Sequence, residues 1–492
     1  MKNFSRRWFI GGLVSAAVLA SADVTAGAVL KAGFARNDIT PPLGIDIPGY
    51  FIERKAKRVL DPLYINCLAL SDGMTTSIVQ QVDTELMSDY VADRMRDVVS
   101  RATGVRRDGI LLHTSHTHDG GYLRVLDAAR AEKLGPIERL YMEMAFTRAA
   151  DAAVAAIADL RPATLSCGRS VAKRISFGRN YLMKNGKVQT NPGTNNPDIV
   201  KPVGSADETV QVLRIDREGA KAVCVINFQT HPDVIGGENL SADWPGLTRN
   251  VFEAATFGET LCLVLNGTQG DVNHCNVLPR PGELNGLTRD FDAVDRGYDH
   301  ARHMANVLAA AALSVWMKCE PLETGRLSFG VERVRLPAHK AKDTDEKNLE
   351  WAKEVCALHR SGNDAEVSRR YGCYEMELTT ELARAARICR LADSPDFIEV
   401  PVYAVAIGSS VVFGGVPGEP FNEIGVAIRK ASPFRLTLLS CLTNGSRGYF
   451  PSAASFRLGG YETAASPFGP SVAEDLTAGF LRLFGRLKEM KE

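Results

Sequence analysis

Four stretches of this chain share one habit, a run of apolar residues that stops abruptly at glycine and at side chains able to hold a metal. The first is Ile110-Leu111-Leu112 followed by His113-Thr114-Ser115-His116-Thr117-His118-Asp119-Gly120-Gly121. The second runs through Val225-Ile226-Asn227-Phe228 to Gln229-Thr230-His231-Pro232. The third, Val411-Val412-Phe413-Gly414-Gly415-Val416-Pro417-Gly418-Glu419, ends on a carboxylate placed at an expected helix start. The fourth, Leu438-Leu439-Ser440-Cys441-Leu442-Thr443-Asn444-Gly445-Ser446-Arg447-Gly448-Tyr449, ends on a phenol. Short apolar runs of this kind are buried strands, and in α/β proteins the carboxyl ends of strands are where sites are built.

The rest of the chain agrees with that architecture. Strands are expected over residues 63–70, 76–82, 109–113, 222–229, 260–265, 400–413 and 435–441, and helices over 88–102, 137–160, 245–255 and 298–317. Ser88 or Asp243 serves as a helix cap and Pro245 sits in a first turn. Strands interleaved with helices define an α/β fold with mixed β-sheets flanked by helices. Residues 340–395 form a charged, helix-prone stretch that reads as a helical insertion or cap. No internal repeat and no Ser/Gly linker is visible, so residues 30–492 are read as one large catalytic unit despite a length of 492 residues.

Composition excludes several classes. An apolar fraction of 45% with 24% charged residues belongs to a folded globular chain. Basic and acidic residues number 58 each, which leaves no net field to draw the chain to nucleic acid or to an anionic surface. The ten cysteines contain no Cys-x-x-Cys pair and do not make a zinc ribbon. Cys67, Cys224, Cys262 and Cys441 lie in apolar runs and read as small buried residues. At the N-terminus Ser5-Arg6-Arg7-Trp8-Phe9-Ile10 precedes a Gly/Ala-rich apolar run too short to span a bilayer, with small residues at Ala20-Ser21-Ala22 and Val24-Thr25-Ala26. Residues 1–26 therefore read as a twin-arginine signal, which implies an exported, periplasmic or extracellular protein without a transmembrane segment in the mature chain.

His116 and His118 are two residues apart, so in extended backbone both imidazoles face the same side. Imidazole nitrogens with a carboxylate oxygen make a borderline-hard site that suits zinc. Two other His-x-His architectures fit less well. In a metallo-β-lactamase-like site an Asp comes two residues after the pair, whereas here Asp119 follows His118 directly. An amidohydrolase barrel opens with its His-x-His on the first strand, and here roughly 80 residues of mature chain precede it.

The chain resembles the catalytic domain of the neutral, non-lysosomal ceramidases from Ala32 to about Leu483. The matching pieces come in order: Gly33-Phe34-Ala35-Arg36-Asn37-Asp38-Ile39-Thr40-Pro41, Pro48-Gly49-Tyr50, Ser115-His116-Thr117-His118, Thr230-His231, Ser241-Ala242-Asp243, Gly270-Asp271-Val272, Pro417-Gly418-Glu419, and the segments around Tyr449 and Tyr461. The resemblance implies one Zn²⁺ ion held by His116, His231, Glu419 and Tyr449. It places Tyr461 near the metal as a donor to the substrate oxygen, and it matches the family's arginine to Arg179 in Phe177-Gly178-Arg179-Asn180. It also implies the catalytic domain alone, without the family's C-terminal immunoglobulin-like domain.

One departure is chemical. The family continues Gly-Asp-Val with a serine proposed to act in catalysis, and this chain has Asn273 there. A carboxamide is no nucleophile, so water activated at the metal has to attack the carbonyl directly. Asn273 keeps the capacity to hydrogen-bond an oxyanion. His118 is the expected general base or partner of the ligands. His274 could take part in proton handling or be an ordinary loop histidine, Asp243 and Asp271 read as structural, and His300, His303, His339 and His359 show no partner pattern. The expected activity is zinc-dependent hydrolysis of an N-acyl amide, with a small-molecule substrate, a lipid among the candidates. An esterase or lactonase on the same scaffold and a zinc-retaining binding protein are the alternatives.

Overall fold

The computed structural model describes residues 29–50, 52–281, 297–340 and 346–490. The expected signal segment, residues 1–26, lies outside them. The first sheet is built from β1 (Lys31–Asp38), β2 (Tyr64–Ser71), β3 (Thr76–Val82), β4 (Ile110–Thr114), β5 (Arg161–Val171), β6 (Thr209–Arg217), β7 (Ala222–Phe228), β8 (Thr260–Asn266) and β9 (Glu320–Leu322). Its order is β8-β7-β6-β5-β1-β2-β3-β4, with β9 paired to β5. A second, four-stranded sheet contains β10 (Leu327–Pro337), β11 (Phe397–Ile407), β12 (Val411–Gly415) and β13 (Leu436–Ser440), in that order. The principal helices are α1 (Asp89–Thr103), α2 (Pro136–Ala158), α3 (Asp243–Ala255), α4 (Tyr298–Trp316), α5 (Glu346–Arg360), α6 (Asp364–Tyr371), α7 (Glu375–Leu391), α8 (Asn422–Ala431), α9 (Tyr461–Ala465) and α10 (Val472–Glu489). None among the described residues is long and apolar enough to cross a membrane.

The sequence shows no repeat, but the pairing does. In β1-β2-β3-α1-β4 the first three strands pair antiparallel and β4 adds parallel to β3. The same order recurs in β5-β6-β7-α3-β8 and again in β10-β11-β12-α8-β13. A parallel partner needs a crossover, and one helix supplies it in each unit. One apolar cluster joins all three, with Leu68, Leu70 and Leu111 from the first, Leu213, Val225 and Leu263 from the second, and Val405, Phe413 and Leu438 from the third. Each unit's last strands therefore end at a shared face.

That face is knitted by strand-end polar groups buried among apolar strands, where each must find a partner. His113 Nδ1 donates to Cys441 O at 2.8 Å and its Nε2 accepts from Asn266 N at 2.9 Å, so one ring joins all three units. Burial lowers its pKa to about 4 and keeps it neutral. Asn227 Nδ2 donates to Leu265 O and Leu439 O, and Asn444 Oδ1 accepts from Leu112 N.

Three local expectations are corrected. Residues 400–413 are not one strand, because the Gly408–Ser410 turn splits them into the antiparallel pair β11 and β12. Asp243 does not cap its helix. It is the first helical residue, and its carboxylate accepts from Val234 N, Ile235 N and Trp244 N. Glu419 does not start a helix either; Glu419–Pro420 pairs parallel with Tyr449–Phe450, and α8 begins at Asn422. Residues 346–391 are helical, as α5, α6 and α7 inserted between the paired strands β10 and β11, around their own small cluster of Ala352, Val355, Val367 and Ile388.

Candidate metal centre

His116 and His118 leave the end of β4 in a turn, not in extended backbone. His116 has φ of +70°, a conformation non-glycine residues rarely adopt, and it persists because its N–H donates to Thr84 O at 3.0 Å. The turn, not strand alternation, brings the rings together, with His118 Nε2 3.3 Å from His116 Nε2. His231 follows β7, and its ring centroid lies 4.9 Å from that of His116. Glu419 arrives from the third unit, its Oε2 3.4 Å from His116 Nε2 and 3.2 Å from His231 Nε2. The parallel register seats Tyr449 directly beside Glu419.

These separations have a chemical meaning. Ligand atoms about 2.0–2.1 Å from a tetrahedral zinc ion stand roughly 3.3 Å from one another, and the two Glu419 contacts, 3.4 and 3.2 Å, are near that length. His116 and His231 are also oriented for it. His116 Nδ1 donates to Glu85 O at 2.8 Å, and His231 Nδ1 donates to Gln269 O at 2.9 Å and Val272 O at 3.1 Å. Each tautomer is thereby fixed with the Nε2 lone pair facing the centre. His118 differs, because its Nδ1 is buried without a hydrogen-bond partner among the described residues. Its ring packs against Gly49, where an added Cβ would stand 2.7 Å from Nδ1, and lies 5.4 Å from the Tyr50 ring. The three imidazoles, whose ligand atoms lie within 4.8 Å of one another, are compatible with a metal ion.

The charges are strongly coupled. Burial opposes charge on His116, yet Glu419 outweighs it and moves that pKa up. Burial, reinforced by Arg179, moves His231 down, and burial with His116 keeps His118 well below the usual histidine range. Glu419 resists burial through His116 and His231 and stays ionised. Burial and then Glu419 hold Tyr449 protonated, and burial pushes Tyr461 up to about 12.

Arg179 reaches the same centre. Its Nη1 donates to His231 Nε2 at 3.3 Å, its Nη2 to Gly270 O at 2.8 Å and its Nε to Glu462 Oε1 at 2.6 Å. Its guanidinium carbon lies 5.6 Å from the Tyr449 ring, and the Tyr449 and Tyr461 rings meet edge-on at 5.8 Å. Asn273 belongs to the short pair of Val272–Asn273 with Phe177–Gly178, next to the carbonyl that binds His231. Its Oδ1 accepts from Cys275 N at 3.0 Å, while its Nδ2 is buried without a partner. His274 is not an ordinary loop residue: its Nδ1 lies 3.1 Å from Asp233 Oδ1, and despite burial Cys275 and Asp233 push its pKa up to about 10. Asp271 Oδ1 accepts from Asn422 N at 2.7 Å and so holds the start of α8.

Sequence reasoning missed three contributors. Glu85 offers its carbonyl to His116, and its carboxylate takes Arg124 at 2.5 Å. Gln269 offers its carbonyl to His231 and donates its Nε2 to Glu419 Oε2 at 3.2 Å. Glu462 orients Arg179 through Oε1 and accepts from Asn180 Nδ2 at 3.0 Å through Oε2. Only Glu462 carried a signal, as the neighbour of Tyr461.

The α/β fold is similar to that of two solved ceramidases. A neutral ceramidase from Pseudomonas aeruginosa superposes with a TM-score of 0.68 at 15% identity, over 94% of this chain and 75% of that one. A ceramidase complexed with C2 superposes with a TM-score of 0.66 at 14% identity, over 94% and 76% of the two chains. No protein-family model matches the sequence, and no curated protein matches it.

Proposed function

We propose that this chain is a zinc-dependent hydrolase of N-acyl (amide) bonds, exported through a twin-arginine signal, with His116, His231, Glu419 and Tyr449 as the ligands of one zinc ion. The observation that carries this reading is the convergence of His116, His231 and Glu419 from three separate structural units at the spacing of a tetrahedral site. The likeness to two ceramidases supports an amide as the bond cleaved and a lipid as one substrate to test. When bound, zinc acts as a Lewis acid toward a carbonyl and acidifies water.

The remaining work falls to this chain's own side chains. Tyr461, protonated at neutral pH, donates from Oη to the scissile carbonyl oxygen, and Arg179 supplies positive charge beside it. Asn273 Nδ2 is the buried donor left over for the developing oxyanion. His118, neutral and with no group tied to Nδ1, takes the proton of the attacking water and returns one to the leaving nitrogen. With Asn273 in place of a hydroxyl, no acyl-enzyme forms at that position.

Elemental analysis of the purified protein and a panel of N-acyl amides and esters test this. About one zinc per chain and amide turnover are expected. His116→Ala should lose the metal and at least about 10³-fold in kcat, since the charge-stabilising centre goes with it. Full activity in that variant would sink the reading.

A further inference from the structure

Beside Tyr461 a cleft of about 550 Å³ opens between the helical insertion and the turn of the hairpin formed by Asn180–Met183 and Val188–Thr190. One wall is α5, α6 and α7, with Trp351, Tyr371, Glu377, Glu381 and Arg384; the other is the hairpin turn with Lys187, and the cleft ends at Tyr461. Its walls are shaped around the site. Gly460, at φ of +115°, lets the chain pass the hairpin, where a Cβ would stand 3.2 Å from Val188 Cγ1. Arg387 of α7 donates to Ala464 O at 2.7 Å, which fixes the insertion to the short helix that carries Tyr461 and Glu462. Thr190, also lining the cleft, donates to Asn180 Oδ1 at 2.8 Å, and Asn180 in turn holds the carboxylate that orients Arg179. The cleft is thus wired to the metal centre by two hydrogen bonds and one ion pair.

Its lining is mixed, with Met376 and Leu458 beside the aromatic and charged side chains. Arg384 stacks on the Trp351 ring at 4.8 Å and lies 3.4 Å from Glu381. Lys187 meets Glu377 across the opening at 3.1 Å, and Trp351 meets Tyr371 edge-on at 6.2 Å. A long alkyl chain laid here would displace the water that the ion pairs Lys187–Glu377 and Arg384–Glu381 keep on their exposed sides, an unfavourable exchange for charged groups. A group bearing hydroxyl, amide or carboxylate functions would exchange those water contacts for direct ones and still cover the two aromatic faces.

We infer that this cleft is the specificity subsite of the proposed amidase, and that it takes a small polar, hydrogen-bonding half of the amide in place of a long hydrocarbon chain. The inference rests on the hydrolase reading for its location, but its chemistry can be read by binding alone. The test uses N-acetyl amides of a hexosamine and of an amino acid, set against an N-palmitoyl amide of a long-chain amino alcohol. Wild-type protein should show kcat/KM at least about tenfold higher for the polar pair, by the usual worth of a site built for hydrogen bonds. Trp351→Ala and Glu381→Ala should each raise KM for a polar amide about tenfold with kcat within about threefold. In calorimetry the free polar amine should bind wild type and lose about tenfold in affinity in both variants. A tenfold preference for the palmitoyl amide, or KM and affinity unchanged in both folded variants, overturns the subsite. Loss of all turnover with calorimetric binding intact overturns the hydrolase reading and leaves the subsite standing.

Discussion

Three histidines meet in this centre, and they are not equivalent. His116 and His231 each spend Nδ1 on a backbone carbonyl, whereas His118 Nδ1 meets none. A metal-binding imidazole nearly always donates its other N–H, which is the ground for proposing His118 as a partner of the ligand set and not a member of it. His118→Ala should retain close to one metal per chain while kcat falls by about 10²–10⁴, the usual worth of a general base. Metal analysis and steady-state kinetics on the same preparation check this, and loss of the metal would make His118 a ligand instead. At this scale the sequence was informative about which side chains the fold gathers: His116, His118, His231 and Glu419 were singled out by position after apolar runs, and they meet. It was silent on Glu85 and Gln269, because they act through backbone carbonyls that any residue possesses. It also misjudged how His116 and His118 come together, since a φ of +70° is set by the Thr84 contact and not by residue type.

At the level of strands and helices, the site exists because three β-β-β-α-β units end at one face, and His113 is the bolt between them. Replacing it by phenylalanine leaves Asn266 N buried without its partner and Cys441 O with Thr443 Oγ1 in place of the ring. An orphaned buried group costs about 1–3 kcal/mol, so His113→Phe should lower stability by about 1–3 kcal/mol in urea unfolding. A change below 0.5 kcal/mol, the range of an ordinary surface substitution, would show that the ring bridges nothing. Strands β3, β4, β7 and β8 and the helices α1 and α3 between them were legible, because β4, β7 and β8 are short, mostly apolar runs buried on both faces and β3 sets Ile78, Val79 and Val82 in a buried run; helix α8 was expected only as a start at Glu419. The long strands β5 and β10 were not, since half-exposed residues break their pattern. The threefold recurrence of the unit was invisible for a related reason: it survives in hydrogen-bond order, and no residue pattern repeats with it.

Over the whole molecule, the proposed ligands tie together parts of the chain that hydrogen bonds and one apolar cluster otherwise join. His116 belongs to the first unit, His231 to the second, and Glu419 and Tyr449 to the third. Glu419 Oε2 stands between the two histidines, and burial with Glu419 holds Tyr449 protonated. A divalent ion held as proposed would bond to all of them directly, and anything that binds only the folded state stabilises it by mass action. With free zinc about a thousandfold above Kd that stabilisation is about 4 kcal/mol, spread over all three units because the ligands span them. Chelation should therefore lower the melting temperature of the entire α/β body in one transition, reversibly on adding zinc back, and it should do nothing to the His116→Ala protein. Calorimetric scans of both proteins with and without chelator read this directly. A chelator effect of equal size in the variant, or none in the wild type, would mean that no ion bridges the three units at this face.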